Sequence, residues 1–222
     1  MANVTKPVQE KLLERLRAAL PKGHALLLMG STAAIAHGVR TTVTTKDVDV
    51  SLILVADDRD VASQEAVKEF LAALRVEAEK PAEDGSWFKV HLDVDGQAVQ
   101  VDVIRGKSRD RASSQFIDRE LLRHVVHNAT QFTDGVYLPT LTDLIVMKAW
   151  AAVDKERLVA RGEDPTRNQT LADKYRGDVR DYAEFALERG DLDATRIETL
   201  LGTMADHRAP QVRAVLDDEG AL

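Results

Sequence analysis

Cysteine is missing from all 222 residues, which excludes a disulfide framework, a thiolate zinc site and a thiol nucleophile, and fits a reducing, cytoplasmic setting. Long apolar runs are missing as well. No stretch approaches the roughly 18 apolar residues of a membrane span, and the opening MANVTKPVQEKLLERLRAAL has no apolar signal-peptide core, so neither a membrane nor a secretory route is expected. An excess of basic charge is also lacking. Lys and Arg number 30 against 37 Asp and Glu, a net charge of −7, which argues against a broad surface that coats nucleic acid but leaves room for a local basic groove. Aromatic residues are few at 5%, yet 44% of the chain is hydrophobic, enough to bury a substantial core.

Patterning along the chain separates two regions. Val8, Leu12, Leu13, Leu16 and Leu20 recur at helical spacing and predict an amphipathic first helix opening at Pro7. The run HALLLMG predicts a buried strand closed by Gly30, and STAAIAHG a short helix that starts near Ser31 or Thr32 and stops at Gly38. After a Thr-rich loop, KDVDVSLILV (46–55) alternates, with Asp47, Asp49 and Ser51 on one face and Val48, Val50 and Leu52 on the other. Residues 60–74 carry a helical apolar stripe. SWFKVHLDV and QAVQVDVIR, separated by Asp95-Gly96, give the clearest hairpin signal, with Gln100, Asp102 and Ile104 on the face opposite three valines. Beyond residue 110 the pattern turns helical, with TQFTDGVYLPT read as a short Asp-Gly turn segment and Thr142 as the cap of a long helix. The strands thus cluster before residue 105. This predicts an α+β fold, with a core over 1–110 and a mostly helical domain over 111–222.

The acidic pattern is the chemical signal. Taken alone, Asp47 and Asp49 read equally well as the solvated side of an edge strand. With a Gly30-Ser31 turn upstream, which permits close backbone approach, and Asp102 on a later strand, the same residues read as a carboxylate cluster. Like charges gathered on one face repel unless cations sit among them, and magnesium takes hard oxygen ligands from carboxylates and substrate phosphates.

An apolar strand, Gly-Ser, a short helix, an Asp-x-Asp strand and a third aspartate on a later strand resemble the signature of the DNA polymerase β-type nucleotidyltransferase superfamily. HGVRTTVTTKDVDV is similar to the Gly-x-Arg linkage of AbiEii-type and MenT-type toxin members, with a somewhat longer loop between Arg40 and Asp47. LPTLTDLIVMKAWA resembles their segment leading to a helical lysine, here Lys148. KYRGDVRDY resembles their late helix through Arg176, Asp178 and Asp181, with Gly177 where they carry lysine. The resemblance covers roughly residues 24–185.

That resemblance implies a polymerase β-like core, a mixed twisted sheet flanked by helices, and transfer of NMP from an NTP to an acceptor hydroxyl with release of pyrophosphate. It implies two Mg2+ ions, or Mn2+, held by Asp47, Asp49 and Asp102, with Asp102 also orienting or deprotonating the acceptor. Gly30 and Ser31 would bind the triphosphate, helped by Arg40, Lys46 and Lys148. Implied partners are NTP, a tRNA 3′ end or other RNA, and a cognate antitoxin. An aminoglycoside-like small molecule or a protein side chain as acceptor, or a non-catalytic antitoxin-like module of the same fold, stand as alternatives.

Other residues carry plainer readings. Lys148 reads equally as a lysine snorkelling from a core helix, and Asp178 as a surface partner of Lys174 at i, i+4. His124 and His127 have no matching carboxylate for a metal. Trp87 and Trp150 read as core or interface aromatics. RGKSRDRASSQFIDRELLR holds six basic residues against three acidic ones, a solvated segment or a guide for a polyanionic acceptor.

Overall fold

The structure, a computed structural model, describes residues 6–39, 47–55, 58–79, 85–106, 117–205 and 207–222. Two compact units divide the chain: Met1–Gly106 with Val125–Pro139, and Lys107–His124 with Thr140–Leu222. The fold is α+β, a mixed open sheet flanked by helices with a helical C-terminal part.

In the first unit the elements run α1 (Lys6–Ala18), β1 (His24–Leu28), α2 (Gly30–Ala36), β2 (Asp47–Leu54), β3 (Asp60–Val61), α3 (Gln64–Leu74), β4 (Trp87–Val94) and β5 (Gln97–Ile104). Next comes α4 (Arg119–Asn128), within which the division falls, and then β6 (Thr130–Thr133) and β7 (Val136–Leu138). The sheet order is β4-β5-β2-β1-β7-β6, with β3 also paired to β2. The segment TQFTDGVYLPT is therefore a strand pair and not only a turn: β7 lies parallel to β1 through Leu26 and Val136. Strands consequently do not end at residue 105: residues 130–138 return to the sheet. A three-residue strand in the register Leu26–Val136 is stabilised by a neighbour far away in sequence, which local periodicity does not reveal.

Alternation does what the sequence demands of it. Val48, Val50, Val90, Leu92, Val99, Val101 and Val103 form one buried face, so each strand presents its polar residues on the other. On that second face lie Asp47 and Asp49 of β2, Gln100 and Asp102 of β5, and Lys89 and His91 of β4. The β4–β5 hairpin turns on Asp95 (φ 55°) and Gly96 (φ 79°). Two successive left-handed residues match the strand twist and fix the register. Helix α1 buries Leu12 and Leu16 and is tied by Arg15, which donates to the Asp93 carbonyl at 2.7 Å.

The second unit comprises α5 (Leu141–Ala160), α6 (Pro165–Arg189), α7 (Ala194–Gly202) and α8 (Ala209–Asp218). Thr140, not Thr142, caps α5: its hydroxyl accepts from the Asp143 N–H at 3.0 Å while Asp143 accepts from the Thr140 N–H at 3.2 Å. Thr142 is buried instead, donating to the Asp191 carbonyl and accepting from the Asp193 N–H. The polar stretch EDPTRNQT opens a helix. Asp164 caps α6 and Pro165 occupies its first turn, where a missing N–H costs nothing. Among the described residues no helix is long and apolar enough to cross a membrane.

Candidate active site

Strand β1 delivers the chain to Gly30 beside β2. The two strands pair antiparallel up to Leu28 and Val50, and the Met29 N–H then donates to the Asp49 carbonyl at 2.9 Å. At Gly30 the backbone turns left-handed, φ 55°, and a Cβ there would stand 2.2 Å from Asp49 Oδ2. A side chain there would have to push that carboxylate aside, and the left-handed backbone favours glycine whatever the space. Gly30→Ala is expected to destabilise the protein by ~1–3 kcal/mol, measured as a lower midpoint in thermal unfolding.

From Gly30 the chain enters α2 directly, and Ser31 stands half-buried in its first turn. The first N–H groups of a helix have no partner inside it. At the other end of α2, Gly38 (φ 80°) and Val39 close the helix onto Ile35 and Ala34, a left-handed stop. His37 reaches the Pro139 carbonyl at 2.7 Å, which fixes the helix end to the chain leaving β7.

β5 lies parallel to β2 on its other side and brings the third aspartate. Asp49 is paired with Asp102, and Asp47 with Gln100, so the carboxylates of 49 and 102 project from neighbouring strands about 4.8 Å apart. β4 adds Lys89 opposite Asp102 and His91 opposite Gln100. Two rows therefore cross the sheet on one face: Lys89, Asp102, Asp49, and His91, Gln100, Asp47. Lys89 sits 5.4 Å from the centre of the Trp87 ring, and His91 pairs with Glu79 at 3.0 Å.

Asp102 is the unusual member. It is only 8% exposed, and Gln100 Nε2 donates to its Oδ2 at 2.8 Å, while its buried Oδ1 has no hydrogen-bond partner. Burial pushes its carboxyl above the ordinary range; the Gln100 bond opposes this, Asp47 adds to it, and Lys89 and the Trp87 indole draw it back. Every other buried carboxylate among the described residues is matched to a cation. Asp143 pairs with Arg196 at 2.8 Å, Asp154 with Arg208 at 3.6 Å, Asp178 with Lys148 at 2.7 Å, and Glu219 with Arg180 at 2.5 Å. Asp102 has no such ion pair among the described residues.

The structure thus brings Gly30, Ser31, Asp47, Asp49 and Asp102 to one region of the first unit. The carboxylates share a face but do not converge: among the described residues no three His, Asp or Glu side chains stand close enough to ligate one ion. Asp49 is turned onto Gly30, and Asp102 is held by Gln100. A divalent cation nonetheless fits the donor set, because hard carboxylate oxygens are what magnesium takes and the buried Asp102 Oδ1 lacks a donor.

Lys148 belongs to the second unit, where it forms the buried pair with Asp178 and lies 5.1 Å from the Tyr175 ring centre. Asp178 is therefore a core residue rather than a surface partner of Lys174. Arg176 joins Glu156 at 2.7 Å and Asp218 at 3.3 Å. Trp150 lies under Arg208, 4.9 Å from ring centre to guanidinium. Arg105, first of the basic stretch, is buried and donates to the Ala62 and Gly85 carbonyls. Arg40 and Lys46, together with residues 107–116 of that stretch, lie outside the described residues.

Sequence reasoning passed over Gln100 and Lys89. Their signal was available, since counting outward from the Asp95-Gly96 turn places Lys89 opposite Asp102, and two-residue periodicity places Gln100 on the Asp102 face. Compared with known proteins, the chain matches no family model and no curated protein.

Proposed function

We propose that the chain is a magnesium-dependent nucleotidyltransferase with a polymerase β-like core, transferring NMP from an NTP to an acceptor hydroxyl. One observation carries this reading: a buried carboxylate, Asp102, has no ion pair and an oxygen without a hydrogen-bond partner among the described residues, and stands in register beside Asp49, whose own carboxylate lies against Gly30. Folding an aspartate into such a place without a cation is costly. A site built to take a divalent cation accounts for that cost.

Asp47, Asp49 and Asp102 would hold two ions between them, each ion taking one or two of these carboxylates and its remaining oxygens from the substrate phosphates. When bound, Mg2+ would supply charge neutralisation at the phosphates and at the leaving pyrophosphate. The protein's own residues do the rest by positioning. Gly30 and Ser31 seat the triphosphate through backbone N–H groups, close to Asp49 because no Cβ intervenes. Asp102 orients the acceptor hydroxyl. The hydroxyl oxygen forms a bond to the α-phosphorus, the bond from that phosphorus to the bridging oxygen breaks, pyrophosphate leaves with that oxygen, and the hydroxyl proton passes to a carboxylate of the site and on to water.

An RNA 3′ end is the acceptor to try first. Incubation with Mg2+ and each α-labelled NTP, with and without total tRNA, is expected to place label on RNA and to release pyrophosphate. Label on a small molecule or on protein would change the acceptor but keep the reaction. No label on any acceptor, together with no metal-dependent NTP binding, would overturn the proposal.

A further inference from the structure

Gln100 stands where a lysine or arginine would have solved the problem of burying Asp102. It is itself 9% exposed, on the same strand and face, two residues before Asp102, and opposite Asp47 in the parallel register. Its Nε2 donates to Asp102 Oδ2 at 2.8 Å. The four buried carboxylates among the described residues of the second unit are each matched by an Arg or Lys, so this chain does use cations to bury carboxylates. At Asp102 it uses an amide.

The chemical difference is specific. An amide N–H fixes the direction of a carboxylate while leaving its full negative charge, whereas an ammonium or guanidinium fixes it by neutralising it. With Oδ2 held, the carboxylate plane is set and Oδ1 is the oxygen left without a donor. Lys89, the facing cation on β4, is held 5.4 Å from the Trp87 ring centre, and no ion pair joins it to Asp102 among the described residues. Among the described residues no ion pair neutralises Asp102, and Gln100 sets the direction of its second oxygen.

We infer that Gln100 is a positioning residue for the metal of this site: it clamps Asp102 Oδ2 so that Oδ1 is presented to a divalent cation, and its neutrality keeps Asp102 able to bind one. The inference rests on the nucleotidyltransferase reading and adds to it a residue that touches neither substrate nor metal. Residues of this kind orient metal ligands, and their loss typically weakens metal affinity by roughly 10–100-fold.

The test is Mn2+ binding followed by electron paramagnetic resonance, with and without α,β-methylene analogues of the common NTPs, on the full chain. Wild type is expected to bind Mn2+ saturably and Asp102→Asn to bind it much more weakly. Gln100→Met, similar in length but without the donor, is expected to weaken Mn2+ binding by at least about tenfold and to lower kcat with little change in the KM for NTP. Gln100→Lys tests the neutrality of position 100. It supplies Asp102 with a cation, so its thermal midpoint without metal should rise or hold while Mn2+ affinity falls; unchanged Mn2+ affinity would mean that the charge of Asp102 does not hold the ion. If Gln100→Met does not fold, Gln100→Asn, which keeps the amide but withdraws it by one methylene, is read in the same assay with the same expected direction. Wild-type Mn2+ affinity in the position 100 variants would overturn the role of Gln100 and leave the nucleotidyltransferase reading standing. No saturable Mn2+ binding by wild type, with or without nucleotide, would overturn both.

Discussion

Asp102→Asn is expected to lose label transfer by on the order of 10³-fold, equivalent to ~4 kcal/mol of barrier, while leaving the metal-free protein as stable as wild type or more so. The two effects share a cause. Asp102 is buried without an ion pair and its carboxyl is pushed above the ordinary value near 3.8, chiefly by desolvation. The folded state therefore holds that proton at pH values where the unfolded chain has released it. By linkage, the contribution to stability falls as pH rises from about the ordinary carboxylate value through the raised one, and the full penalty persists above. Below the ordinary value there is no penalty. Asparagine never ionises, so it abolishes this slope, and in thermal unfolding from pH 4 to pH 8 the variant should lose less stability than wild type. Magnesium should stabilise wild type at neutral pH and leave Asp102→Asn nearly unmoved. A variant that keeps full transfer activity would remove Asp102 from the site.

How much of this site was legible before folding depends on which contacts are local. The Asp47, Asp49 and Ser51 face follows from alternation within one strand, and the Gly30 turn from the apolar run that stops there. The hairpin register, and with it Lys89 opposite Asp102, follows from Asp95-Gly96, because two left-handed residues leave little choice of pairing. The decisive adjacency does not. Asp49 lies beside Asp102 only because β2 and β5 run parallel, and a parallel pair has no joining turn to set its register from sequence. The same limit hid β7, whose pairing with β1 spans more than a hundred residues.

Charge pairing was the least legible feature. Asp178 and Lys174 have ideal helical spacing, yet Asp178 points inward to Lys148 on another helix. Spacing shows which residues share a helix face. It does not show whether that face is wet. Arg105 makes the same point from the other side: counted among surface charges, it is buried and spends its guanidinium on two backbone carbonyls. The side-chain partner of Asp102 is Gln100, a neutral group that charge counting passes over.

Lys148→Met is expected to destabilise the second unit by ~3–5 kcal/mol, the usual penalty for removing one member of a buried ion pair. The ammonium lies between α5 and α6, 2.7 Å from Asp178 Oδ2, within 5.1 Å of the Tyr175 ring centre and 5.9 Å of that of Tyr182. Methionine fills a similar volume, so a cavity contributes little. What remains is Asp178, 1% exposed, with its cation gone. Thermal unfolding should show a drop of roughly 10 °C for a chain of this size. Lys148→Met combined with Asp178→Leu removes both charges and is expected to recover most of that loss, since replacing a whole buried pair by apolar groups is often neutral or stabilising. A double variant as unstable as the single one would mean that packing against the tyrosines, not the ion pair, holds this part of the helical unit together.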